Sequence, residues 1–181
     1  MKNMLFIMNP KAGRTTLKNS LVDVLEVFCN NDYAVRTYLT KSADDAERIV
    51  QEEGANYDVI VCAGGDGTLG NTVTGYMKSG IKVPLGYIPC GSTNDFARSM
   101  DIPRETVEAA EMIVKAEPFS IDIGSLNDKN FVYVAAFGMF SDTSYATPQN
   151  MKNIFGHAAY VLQGIKSLAN VPSYKMKVTI D

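Results

Sequence analysis

The chain has 181 residues, 46% of them hydrophobic and 20% charged: an ordinary globular composition that can fill one domain, or one domain and part of a second. A net charge of -3 and a pI near 5.2 leave no electrostatic footprint for nucleic acid and no general attraction to anionic membranes. Cys29, Cys62 and Cys90 are odd in number and widely spaced, as reduced thiols are, and no apolar run approaches the roughly 18 residues of a membrane span; the chain reads as soluble and cytoplasmic, with any membrane contact peripheral.

Met4–Met8 is apolar throughout and reads as a buried strand, followed by a turn over Asn9-Pro10-Lys11-Ala12-Gly13-Arg14, where Asn-Pro favours a reversal and Gly13 allows close backbone approach. Thr15 or Thr16 would cap the next helix, with Leu21, Leu25 and Phe28 on its apolar side. Lys11 and Arg14 are open to two readings: solvated loop cations, or phosphate partners at the carboxyl end of a strand. Ala34–Leu39 is a second strand ending at Thr40. A polar helix follows, with Ser42 as its N-cap, Asp44 and Asp45 in its first turn and Gly54 at its end.

The run Val59-Ile60-Val61-Cys62-Ala63 reads as a strand buried on both faces. It breaks at Gly64-Gly65-Asp66-Gly67, and helical spacing resumes from Thr68 to about Lys78. A strand, a glycine turn and a helix start make an anion site, because free N–H groups and the positive end of the helix dipole favour phosphate. The alternative is a tight turn and nothing more. Asp66 weighs against it, since a carboxylate among phosphate-seeking amides needs a cation between them or a hydroxyl to deprotonate. Gly65-x-Gly67-x-x-Gly70 formally matches the dinucleotide fingerprint, but Leu85–Thr93 lacks the acidic residue that would hold a ribose. No Gly-x-x-x-x-Gly-Lys-Ser/Thr run occurs, so an ordinary P-loop is absent.

Val83–Ile88 is a fourth strand leading into Pro89-Cys90-Gly91-Ser92-Thr93-Asn94-Asp95-Phe96-Ala97-Arg98. The turn offers backbone and side-chain donors and a second carboxylate, Asp95. Ser92, Thr93 or Asn94 would equally serve as a helix cap, and capping and phosphate binding use the same geometry. Glu105–Ala116 is a further helix. The strand–helix alternation implies a parallel sheet covered by helices, an α/β domain over residues 1–118. After Pro118 the pattern changes: Phe119–Ile123 and Asn130–Phe137 read as strands joined by a turn at Leu126-Asn127-Asp128-Lys129. Asp122 lies in the first of these, where a carboxylate is ordinarily solvent-exposed. Asn153–Leu168 is helical, His157 within it is structural, and Tyr174–Ile180 alternates as an antiparallel strand. Residues 119–181 are thus expected to begin a second, β-rich domain and to leave it incomplete.

Asn9-Pro10-x-x-Gly13, Gly64-Gly65-Asp66-Gly67-Thr68 and Ile88-Pro89-x-Gly91-Ser92-x-Asn94-Asp95-Phe96-Ala97-Arg98 together resemble the diacylglycerol kinase-like lipid kinases, which include sphingosine and ceramide kinases. Ile121-Asp122-Ile123-Gly124 and Gly156-His157-Ala158-Ala159-Tyr160 look like the family's continuation. The glycine-aspartate element alone is shared with NAD kinases; the second element singles out lipid kinases. The resemblance implies an N-terminal ATP-binding α/β domain, a C-terminal β-sandwich, and transfer of the γ-phosphate of ATP to a lipid hydroxyl, such as that of diacylglycerol at a membrane surface. By the same resemblance Asn9, Gly13, Gly65, Gly67, Thr68, Gly91, Ser92 and Thr93, with Thr40 at their margin, would surround the nucleotide. Asp66 would organise Mg²⁺ and ATP or help deprotonate the acceptor, and Asp95 and Asp122 would join the acidic network. Family members continue past residue 181 with another acidic motif, so the chain resembles a truncated kinase; a homodimer is a family-level expectation. The competing readings are an NAD kinase-like phosphotransferase and a nucleotide-binding fragment without activity.

Overall fold

The computed structural model describes residues 1–12, 16–127 and 129–135. The chain divides into two compact units, Met1–Val134 and Ala135–Asp181, and every described residue except Ala135 belongs to the first. Gly13, Arg14, His157 and the elements expected at Asn153–Leu168 and Tyr174–Ile180 lie outside the described residues.

Four parallel strands, β1 (Lys2–Met8), β2 (Tyr33–Leu39), β3 (Val59–Gly64) and β4 (Leu85–Pro89), form one sheet in the order β2-β1-β3-β4. The helices are α1 (Thr16–Asn30), α2 (Asp45–Glu53), α3 (Asp66–Ser79), a short α4 (Asp95–Ser99) and α5 (Thr106–Lys115). β1 is apolar at consecutive positions because helices cover both its faces. Met4, Phe6 and Met8 pack with Leu17, Val24 and Phe28 of α1 and Ala109 and Ala110 of α5, and Phe6 meets Phe28 edge-on at 5.7 Å. Leu5, Ile7 and Ile60 pack instead on Ala46, Ile49 and Val50 of α2. Leu69 and Val73 of α3 and Ala97 of α4 cover Cys62 and Tyr87. Connections between parallel strands keep one hand, so reversing direction along the sheet moves the connecting helix to the other face. The path from β1 to β2 therefore puts α1 on one side, and the paths from β2 to β3 and β3 to β4 put α2 and α3 on the other.

Four expectations need correction. The helix after the glycine loop starts at Asp66, with Gly65 as its N-cap, rather than at Thr68, so Asp66 stands in its first turn. Ser42 does not cap α2: Asp44 occupies that position without a side-chain bond. The carboxylate of Asp45 reaches back instead and accepts from Lys41 N at 2.6 Å and Ser42 N at 3.2 Å. Phe119–Ile123 is not a strand, and the strand expected over Asn130–Phe137 stops at Phe131 among the described residues; the antiparallel pairing goes to β5 (Gly124–Leu126) and β6 (Lys129–Phe131). Alternation marks a two-faced extended segment but cannot say where its ladder partner lies. Asn127 takes a left-handed φ of 54° in the connecting turn, and β6 packs on α3.

Candidate active site

β1 is hydrogen-bonded to β2 on one side and β3 on the other. The chain leaves β1 toward β2 and leaves β3 toward β4, so the loops after β1 and β3 diverge. This is the topological switch point of an open α/β sheet, where ligands bind outside the carboxyl ends of the strands. Asn9, Thr40, the Gly65 loop and the Gly91 loop all follow carboxyl ends of these four strands.

Asn9 joins the first loop to the third. Its backbone N–H donates to Ala63 O at 3.0 Å, its Oδ1 accepts from Lys11 N at 2.9 Å, and its Nδ2 donates to Thr68 Oγ1 at 2.9 Å. Thr68, buried in the first turn of α3, thereby keeps its own hydroxyl proton for another acceptor. Thr40 is also buried, and its N–H continues the β1–β2 ladder by donating to Met8 O at 2.9 Å.

The two glycine loops touch. A Cβ on Gly91 would stand 2.7 Å from Gly65 Cα, so only glycine lets the backbones approach this closely. At Gly67 a Cβ would meet nothing within 4 Å among the described residues, so none of them covers the first turn of α3 at that point. No side chain caps α3. Thr68 N and Leu69 N both donate to Gly65 O, while among the described residues the N–H groups of Asp66 and Gly67 have no acceptor. Uncapped donors at a helix start bind anions.

In the second loop, Gly91 N donates to Asn94 Oδ1 and Asn94 Nδ2 donates to Gly91 O, each at 2.8 Å. Asn94 is 4% exposed and left-handed at φ 53°. This closed ring leaves Ser92 exposed and Thr93 half-buried at the tip. Asp95 opens α4 as Asp66 opens α3, half-buried where Asp66 is exposed. The carboxylate of Asp66 is close enough to Tyr87 to act on its phenol, whose pKa is raised first by burial and then by that charge. Burial also pushes the thiols of Cys62 and Cys90, beneath the loops, up to about 12, so both stay protonated and inert at neutral pH.

Asp122 is exposed in irregular chain; the next residue, Ile123, packs on the cluster containing Leu69, Tyr87 and Ala97. The structure therefore gathers Asn9, Thr40, Gly65, Gly67, Thr68, Gly91, Ser92, Thr93, Asp66 and Asp95 along one edge of the sheet, and ties Asp122 to that region only through its neighbour. Two residues with a hand in this geometry are absent from the sequence-derived site: Asn94, which turns inward, and Tyr87. The available signal for Tyr87 was a hydroxyl in an otherwise apolar strand, since a buried phenol has to find an acceptor.

For magnesium, no group of three or more His, Cys, Asp or Glu able to hold a metal occurs among the described residues. A carboxylate such as that of Asp66, in the uncapped first turn of α3, would fit an ion held largely by a ligand's phosphates and water, the usual state of Mg²⁺. No helix among the described residues is long and apolar enough to cross a membrane.

Residues 3–126 match the family model of the diacylglycerol kinase catalytic domain. The chain is 35% identical over 183 aligned positions to a diacylglycerol kinase of Bacillus subtilis, covering 100% of this chain and 60% of the relative. It is 34% identical to one from Staphylococcus aureus, covering 99% and 58%. A crystal structure of a diacylglycerol kinase from Bacillus anthracis superposes with a TM-score of 0.67 at 31% identity, over 72% of this chain and 45% of that one. The chain thus spans about 60% of the length of the Bacillus subtilis relative. With the two glycine loops in contact at the switch point and the family model matched across both, this chain belongs to the diacylglycerol kinase catalytic-domain family.

Proposed function

We propose that this chain carries the ATP-binding part of a lipid kinase that moves the γ-phosphate of ATP to a lipid hydroxyl, such as that of diacylglycerol, at a membrane surface. The observation that carries this reading is the contact between Gly65 and Gly91 beside the uncapped start of α3. The unbonded N–H groups at the start of α3 thus lie beside a loop that carries the hydroxyls of Ser92 and Thr93, a donor set that suits a polyphosphate. The relatives' names support a lipid acceptor over NAD.

In this reading the N–H groups of Asp66 and Gly67 and the hydroxyl of Thr68 take phosphate oxygens, and Ser92 and Thr93 add donors from the second loop. Asn9 and Thr40 hold the near wall; Gly13 and Arg14, which the family resemblance adds to the nucleotide set, lie outside the described residues. Catalysis of this class is mostly positioning and charge stabilisation, which rigid backbone donors supply without reorganising. Asp66 holds magnesium or receives the acceptor's proton, and Asp95 and Asp122 complete the acidic side. Magnesium, when bound, neutralises charge on the transferring phosphoryl group.

The test uses γ-labelled ATP, Mg²⁺ and mixed micelles containing diacylglycerol. Label should enter the lipid with the wild-type chain, and Asp66→Ala should cut transfer at least about 100-fold with an unchanged circular dichroism spectrum. Retained transfer in Asp66→Ala removes that residue's role. Tight ATP binding without lipid product leaves a nucleotide-binding module and overturns the transferase.

A further inference from the structure

Gly64 is the last residue of β3 before the first glycine loop, and its carbonyl receives two donors, one from β4 and one from the residue that follows β4. Cys90 N donates to it at 2.7 Å, and the hydroxyl of Tyr87 donates to it at 3.1 Å. The same hydroxyl lies 3.4 Å from Asn94 Oδ1, the atom that accepts from Gly91 N. One phenol proton is therefore shared between the root of the first loop and the clamp that closes the second. Tyr87 is 4% exposed and packs its ring against Phe96 of α4 with centroids 6.2 Å apart, so the hydroxyl has little freedom to leave.

We propose that Tyr87 is a positioning residue for the phosphate cradle: through Gly64 O and Asn94 Oδ1 it sets the spacing between the backbone donors of the two glycine loops. The inference rests on the nucleotide reading above. Among the described residues the loops touch at glycine backbone, a contact with no side chain to interlock, and the Cys90 N–Gly64 O bond ties only the root of the second loop, so the phenol is the bond that reaches from that root to the Asn94 clamp. Replacing tyrosine by phenylalanine keeps the ring, and with it the packing on Phe96, and deletes only the shared bond. Gly64 O retains Cys90 N, and Asn94 Oδ1 retains Gly91 N, so neither acceptor is orphaned and the fold tolerates the change.

A second tyrosine provides the control. Tyr76 donates to Val83 O at 2.9 Å, also a hydroxyl-to-carbonyl bond between α3 and the approach to β4, but at the opposite end of the sheet. Tyr87→Phe and Tyr76→Phe remove bonds of the same kind, so an effect on general stability appears in both and an effect on the cradle in only one.

The experiment measures binding of ATP and of inorganic tripolyphosphate by calorimetry to wild type, Tyr87→Phe and Tyr76→Phe, well below each thermal midpoint, together with hydrogen exchange of the Gly64–Asp66 and Cys90–Asp95 amides. Tyr87→Phe should weaken both ligands about tenfold, the consequence of one lost hydrogen bond, and speed exchange in both loops. Tyr76→Phe should bind both as wild type does. Equal binding by wild type and Tyr87→Phe, or equal loss in the two variants, overturns the positioning role while leaving the nucleotide reading intact. Wild type that binds neither ligand overturns the nucleotide reading and this inference with it.

Discussion

The two ends of the same parallel sheet are built to opposite ends. At the amino end the backbone groups are consumed locally: Lys2 N donates to Asp32 O, Asp58 N to Asn3 O, and Asn3 N to the Asp58 carboxylate at 2.7 Å. The hydroxyl of Tyr76 takes Val83 O at that end. At the carboxyl end the ladder is extended by Asn9 N, Thr40 N and Cys90 N, and then stops at glycines, leaving donors at the start of α3 without an acceptor among the described residues. A sheet must satisfy its backbone wherever it is covered, so donors without an acceptor among the described residues support the proposal that this end binds the ligand.

The largest expected effect comes from alkali, which attacks the apolar layer under the carboxyl end. Burial raises Cys62 and Cys90 to about 12, and Tyr87 is raised as well. The native state keeps protons that the unfolded chain releases above about pH 8.5. Stability is therefore full below that value and falls as pH rises toward about 12, by about 1.4 kcal/mol per pH unit for each thiol. Urea midpoints measured across that interval should drop steadily. A flat midpoint would mean that the thiols ionise in the fold and that the layer is wetter than its packing implies.

Next in size is Gly91→Ala. Its methyl group would stand 2.7 Å from Gly65 Cα and 2.6 Å from Asn94 Oδ1, and a backbone neighbour cannot rotate away. We expect a stability loss of about 1–3 kcal/mol and at least a tenfold loss in ATP affinity, read by urea melts and calorimetry. Undiminished affinity would show that the loops need not touch.

The smallest effect sharpens the contrast from the other end. Asp58→Ala removes the carboxylate that accepts Asn3 N on an exposed surface. The cost should be about 0.5–1.5 kcal/mol in a chemical melt, with ATP affinity unchanged. A change in affinity would couple the amino end to the site and erase the distinction between the two.

Much of this was legible in the residue order. Continuous apolar runs at Met4–Met8 and Val59–Ala63 marked strands buried on both faces, and Gly64-Gly65-Asp66-Gly67 and Gly91-Ser92-Thr93-Asn94 marked the loops at the carboxyl ends of two strands. These signals are local: an unbroken apolar run, a missing Cβ, a carboxylate near a helix start. Helix and strand boundaries failed by a few residues where a side chain chose among neighbouring donors, as Asp45 did over Ser42.

Other features had no local signature. Strand order decides that the loops after β1 and β3 diverge at one point, and strand order depends on which nonadjacent strands pair. The bond from Asn9 to Thr68 crosses 59 residues, and that from Tyr87 to Gly64 crosses 23. Composition and spacing determined that this protein has two glycine loops, each following a buried strand. That they share one edge, in backbone contact and tied by a phenol, was decided only when packing on both faces of the sheet fixed the neighbours, because a hydrogen bond between distant residues exists only after the chain has brought them together.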